Sequence, residues 1–118
     1  MENSIRTTPG DDGTVTVTVL GEIDFSNADE VADGIRDAIT DWSPSTVHVE
    51  LRHASFIDST GLGALIEGYR AATERNIGYV VRNPSPTFRR VLTVTGLSNF
   101  FGLAEEELDQ LPTQATGA

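Results

Sequence analysis

The residues with the most chemistry to offer stand in one run, Asp58-Ser59-Thr60-Gly61-Leu62-Gly63, in which a carboxylate precedes two hydroxyls and two glycines. Phe56 and Ile57 lead into this run. Leu62, Leu65, Ile66, Tyr69 and Ala72 follow at helical spacing, so the sequence predicts a strand, a turn and a helix reaching about Asn76. Ser59 and Thr60 then stand at a helix N-terminus, where unpaired amides and the helix dipole favour negative charge. A phosphate on Ser59 would be tolerated there without unfolding the helix. Glycine costs a helix about 1 kcal/mol relative to alanine, so Gly61 and Gly63 require a reason. On the residues alone two reasons stand side by side. Either bare backbone keeps the surface around the serine low enough for a foreign active site to approach, or Ser59 simply caps the helix while the glycines let it pack closely on a sheet.

A nucleophilic serine needs a base, and the sequence supplies none in the usual places. The two histidines, His48 and His53, are isolated, and His48 lies on the polar side of an alternating segment. Ser59 has no Gly-x-Ser-x-Gly elbow, and the chain has no lysine for a phosphate-binding loop. Neither histidine has neighbours at metal-ligand spacing, and with no cysteine there is no thiolate site or disulfide. The expectation is a protein that is not an enzyme and takes no cofactor or metal. The cluster Glu105-Glu106-Glu107 with Asp109 reads as a solvated helix face, or alternatively as a partner contact.

The elements that must position Ser59 follow from periodicity. Val15, Val17 and Val19 alternate with Thr14, Thr16 and Thr18, which predicts a half-buried strand over residues 14–20. Pro9-Gly10-Asp11-Asp12-Gly13 is a turn that would pair this strand with a short one over 4–8. Gly21-Glu22-Ile23-Asp24 ends the Val15 strand. Ser26 is the expected cap of a helix carrying Ala28, Val31, Ala32, Ile35 and Ile39 and ending near Asp41. Further strands are expected over 47–51, 77–82 and 100–103. Ser85-Pro86 should open a third helix that ends at Gly96, and a fourth should span 105–111. Residues 1–111 form one expected domain, and 112–118 an expected flexible tail.

Helices between strands call for parallel pairing through right-handed crossovers. Two of the strands alternate, whereas a sheet covered on both faces shows continuous apolar runs. The expected fold is therefore α/β, a mostly parallel sheet with an N-terminal hairpin strand and helices mainly on one face. The loops at Asp24 and Ser59 both leave the carboxyl edge of such a sheet and can form one patch. Asp24 by itself suits a turn or cap as well as a binding site.

The chain's 118 residues suffice for a single core. Acidic residues outnumber basic ones 18 to 8, and the net charge of −10 argues against gripping nucleic acid or an anionic membrane. No apolar stretch approaches the ~20 residues of a bilayer span, no signal run opens the sequence, and the expected compartment is the cytoplasm.

Gly21-Glu22-Ile23-Asp24, the run from Phe56 to Leu65, and Arg90-Val91-Leu92 through Thr95-Gly96-Leu97 with Phe101 together resemble the anti-sigma factor antagonist family, the STAS domain. The resemblance spans roughly residues 4–111, and it departs at Glu50-Leu51, where many relatives carry aspartate and leucine. It implies the STAS fold, a superhelix of strand and helix turns. It also implies that an anti-sigma factor serine protein kinase phosphorylates Ser59, that a serine phosphatase reverses this, and that Asp24, Asp58, Ser59, Thr60, Gly61 and Leu62 contribute to partner binding. The unphosphorylated form would bind the kinase and release a sigma factor; phosphorylation would abolish binding. The alternative is a STAS module that acts without phosphorylation, as an interaction scaffold or ligand sensor. A transporter's cytoplasmic domain and a hydrolase using Ser59 fit less well, for want of membrane spans and of a base.

Overall fold

The computed structural model describes residues 4–97. Along them run β1 (Ile5–Pro9), β2 (Thr14–Val19), β3 (Gly21–Ile23), α1 (Ala28–Trp42), β4 (Thr46–Glu50), β5 (Ala54–Ile57), α2 (Ser59–Glu74), β6 (Gly78–Arg82) and α3 (Pro86–Val94). The strand expected over 100–103, the helix over 105–111, the tail and the domain boundary at 111 lie outside the described residues, as does Phe101.

β1 and β2 form the expected antiparallel hairpin, with Ile5 opposite Val19. Its turn is closed by the Gly10 amide, which donates to the Thr14 carbonyl at 2.8 Å, and by the Thr14 hydroxyl, which donates to Asp12 at 2.7 Å. The main sheet has the order β1-β2-β4-β6, and β2, β4 and β6 are parallel. Their register lines up Val15, Val47 and Tyr79 in one row and Val17, Val49 and Val81 in the next, all buried. On the opposite face Thr16, His48 and Val80 form one row and Thr18, Glu50 and Arg82 another, all half-buried. One dry face and one wetter face is the pattern the alternation predicts. α1 and α2 pack against each other over the dry face, α1 on β1 and β2 and α2 on β6. The result is the expected one-sided α/β layer.

The sheet is divided where the alternation gives no hint of it. The strand expected over 14–20 stops at Val19, and Gly21, with φ 80°, turns the chain out of the main sheet. A glycine adopts that left-handed conformation without a Cβ clash. β3 then pairs in parallel with β5 as a separate two-stranded sheet, with Ile23 opposite Ile57. Gly21-Glu22-Ile23 thus forms a strand of its own instead of ending β2.

α1 also starts later than expected. Asn27, not Ser26, holds the cap position, because the Ser26 amide and hydroxyl are both taken by the Asp24 side chain. The helix buries Val31, Ala32, Ile35, Ala38 and Ile39 and ends at Ser43 in a left-handed conformation, ahead of Pro44. α3 opens as the sequence predicts, with the Ser85 hydroxyl accepting from the Phe88 amide at 3.2 Å and Pro86 in the first turn.

α2 approaches its neighbours closely at Gly68. A Cβ there would lie 2.7 Å from the Tyr79 hydroxyl and 2.8 Å from Ile35 Cγ2. The Tyr79 hydroxyl in turn donates to the Leu65 carbonyl at 2.7 Å, and its burial raises its pKa, so it remains a donor throughout the working pH range. We expect Gly68→Val to overpack the junction of α1, α2 and β6 and to destabilise the fold by roughly 2 to 3 kcal/mol in urea denaturation. A variant as stable as the wild type would contradict this packing.

Candidate functional site

β5 delivers Asp58 in an extended conformation, φ −96° and ψ −170°, immediately before α2. From that position its carboxylate accepts the Gly61 amide at 2.9 Å, so Asp58 is the N-cap. This overturns the alternative in which Ser59 caps the helix. Ser59 is instead the first helical residue; it is exposed, and its hydroxyl makes no hydrogen bond among the described residues. Thr60 is exposed beside it, Gly61 is buried, and Leu62 is half-buried against the core.

The two glycines of this turn have different reasons. Gly61 is buried under the start of the helix. A Cβ on Gly63, by contrast, would meet nothing within 4 Å. Close packing therefore does not require glycine at 63, and what its missing side chain leaves is open space beside Ser59.

The second loop of the corner is tied to the first through backbone. The Asp58 amide donates to the Ile23 carbonyl at 3.3 Å, which sets the turn after β3 against the start of α2. Within that turn Asp24 is heavily used. Its carboxylate accepts from the Ser26 amide at 2.9 Å and the Ser26 hydroxyl at 2.6 Å, and its carbonyl accepts from the amides of Asn27 and Ala28. The bonds from Ser26, its hydroxyl first, lower the Asp24 pKa from the usual 3.8. Since the folded value is the lower one, the stabilisation this carboxylate contributes is present above about pH 4 and is lost as the pH falls through the folded value.

Two residues of this corner escape sequence reading. Asn27 holds the turn from below: its side-chain oxygen accepts from the Asp24 amide at 2.9 Å while its side-chain nitrogen donates to the Glu22 carbonyl at 2.6 Å. Phe25 is 83% exposed. Its place three residues before Ala28 continues the apolar stripe of α1, which would assign it to the core, but the helix begins only at Ala28 and the ring lies outside. The usable signal is the Asx residue at 27, which marks the later helix start.

His48 lies in β4 on the half-buried outer face, His53 is exposed between β4 and β5, and among the described residues no group of three or more His, Asp or Glu gathers as a metal site. An open concavity of about 320 Å³ lies elsewhere on the molecule, lined by Leu51, Arg52, Asn83, Pro84, Ser85 and Arg89 with Ala54. No helix among the described residues is long and apolar enough to cross a membrane.

Comparison with known proteins matches residues 6–110 to the STAS domain family. An anti-sigma F factor antagonist of Lysinibacillus sphaericus is 31% identical over 94 residues, which cover 80% of each chain. The crystal structure of an anti-sigma factor antagonist from Mycobacterium paratuberculosis is similar at 34% identity, covering 83% of each chain with a TM-score of 0.64. The Bacillus cell fate determinant SpoIIAA in its phosphorylated form is 26% identical, with 81% of this chain and 86% of that one covered and a TM-score of 0.66. Its unphosphorylated form gives 26% identity over 75% and 81%, with a TM-score of 0.63.

The division of labour at the start of α2 can be read from stability. Asp58→Ala should cost about 1 kcal/mol through loss of the cap. Ser59→Ala should change unfolding free energy by less than about 0.5 kcal/mol. Guanidinium melts that reverse this order would return the capping role to Ser59.

Proposed function

Because the chain belongs to the STAS domain family, we propose that it is an anti-sigma factor antagonist switched by phosphorylation of Ser59. The unphosphorylated protein binds an anti-sigma factor that is itself a serine protein kinase, and the bound kinase lets go of its sigma factor. Phosphorylation of Ser59 dissolves the complex, and a serine phosphatase restores the binding form. The chain performs no catalysis of its own, and its compartment is the cytoplasm, where a sigma factor meets polymerase. The observation that carries this reading is the Ser59 hydroxyl, exposed in the first turn of α2 and without a hydrogen bond among the described residues, Asp58 having taken the cap.

The physical chemistry of the switch follows from that position. A phosphate adds a charge of about −1.5 to −2. At the helix start the dipole and the free amides accommodate it, so the fold survives. At an interface shaped around a neutral hydroxyl the same charge is desolvated next to the Asp58 carboxylate. A thousandfold loss of affinity needs only about 4 kcal/mol, within reach of one buried charge without a partner. Asp24, Asp58, Ser59, Thr60, Gly61 and Leu62 make up the corner that the kinase covers. The names of the relatives, which are anti-sigma factor antagonists, support the role, and a relative solved in both phosphorylation states supports a switch that leaves the fold in place.

Incubation with the cognate kinase and ATP, followed by phosphopeptide mapping, should find the phosphate on Ser59 and leave Thr60 unmodified. Ser59→Ala should bind the kinase as the wild type does, and Ser59→Asp should bind roughly a hundredfold more weakly. Equal affinities of the two variants would sink the proposal. Gly63→Ala provides a second check. Alanine should stabilise α2 by about 0.5 to 1 kcal/mol, since its methyl meets nothing, while slowing phosphorylation of Ser59 by crowding the kinase's approach. A variant that is stabilised and phosphorylated at the wild-type rate would show that the low surface has no role.

A further inference from the structure

The turn after β3 spends its polar groups on itself. The Asp24 carboxylate is occupied by Ser26, its carbonyl by the Asn27 and Ala28 amides, and its amide by the Asn27 side chain, which also binds the Glu22 carbonyl. What this braced turn presents outward is the ring of Phe25. It is 83% exposed, the most exposed of the large apolar residues among those described. Of the others that stand out, Trp42 lies at the opposite end of α1 from this turn, and Val91 and Val94 lie on α3. Phe25 sits two residues beyond Ile23, whose carbonyl receives the Asp58 amide, and so belongs to the same corner as Ser59.

A single exposed apolar residue needs no explanation on an ordinary surface. This one is carried on a turn whose backbone is closed by hydrogen bonds from both sides, so little backbone freedom is left to lose when the ring is covered. Buried aromatic side chains ringed by polar groups are where interfaces concentrate their affinity. The surroundings are of one sign: Glu22 and Asp29 are exposed on either side in sequence, Asp24 and Asp58 are half-buried, and no basic residue occurs between Arg6 and Arg36.

We infer that Phe25 is the apolar anchor through which the anti-sigma factor recognises this chain, seated in an apolar socket with a basic rim. Within the corner, Asp24 also positions the ring, by closing the turn that carries it. This inference rests on the proposed function, which it deepens by stating what the partner's surface must offer next to its active site. Opposite charge on the two rims steers the encounter and makes the association rate fall with salt.

The test measures affinity for the purified anti-sigma kinase that phosphorylates Ser59, by calorimetry and by surface-based kinetics. Phe25→Ala should bind about 30-fold more weakly, with an unchanged thermal melt because the ring contributes nothing to the core. Asp24→Asn keeps the oxygen that accepts from Ser26 and should lose less affinity than Phe25→Ala, whereas Asp24→Ala loosens the turn and should lose affinity that Asp24→Asn retains. Trp42→Ala, which removes an exposed apolar residue at the opposite end of α1 from the turn, should bind as the wild type does. Phe25→Ala binding like the wild type while Ser59→Asp fails to bind would overturn the anchor and leave the proposed function standing. Asp24→Asn weakening binding more than Phe25→Ala would also overturn it, by moving the recognition to the charge. Sedimentation showing that the wild type self-associates through Phe25, with kinase binding untouched by Phe25→Ala, would reassign the ring to a second copy of the chain. Equal binding of Ser59→Ala and Ser59→Asp would instead remove the proposed function itself.

Discussion

A helix must satisfy its first amides, and how it does so decides which side chains remain free. In α2 the Asp58 carboxylate takes the Gly61 amide at 2.9 Å, and this leaves Ser59 as the first helical residue, its hydroxyl without a hydrogen bond among the described residues. A serine one position earlier would have folded its hydroxyl inward onto the same amide. The aspartate therefore has two effects: it stabilises the helix that carries the serine, and it keeps the hydroxyl outside.

Everything behind that corner serves to hold it still. The rows Val15-Val47-Tyr79 and Val17-Val49-Val81 anchor a sheet whose dry face carries α1 and α2. Gly21 then lifts the chain out of the main sheet, so that β3 and β5 pair separately and end side by side. Their ends are the two loops of the corner, joined by the bond from the Asp58 amide to the Ile23 carbonyl. The short second sheet is thus the device that brings the Asp24 turn to Ser59, and α2, fixed to its neighbours at Gly68, is a rigid base for a site that must be approached from outside.

Much of this was legible in the sequence wherever one physical signal acted alone. Valine–threonine alternation marked β2 and its wet face, the proline and glycine cluster marked the hairpin, and Ser85-Pro86 marked the start of α3. Reading failed where two signals competed. Gly21 interrupts a run that alternation alone would continue, because a left-handed backbone is invisible to a pattern of apolar positions. Asp24, Ser26 and Asn27 all favour caps and turns, and only tertiary bonds decide that Ser26 serves Asp24 while Asn27 precedes the helix. At Ser59 the residue types allowed both capping and exposure, and the neighbouring aspartate decided between them. Phe25 was hidden because it stands in phase with a helix that starts three residues later.

The central claim is that charge on Ser59 changes what the corner can bind without changing the fold that carries it. Its most direct test is amide hydrogen exchange of the chain before and after stoichiometric phosphorylation, with kinase binding measured on the same samples. The account predicts that binding is lost while α2 amides beyond the first turn keep their protection, with changes confined to the Ser59 loop and the adjoining Asp24 turn. Loss of protection along α2 or across β4 and β6 would mean that the phosphate acts by unfolding, and would contradict the account.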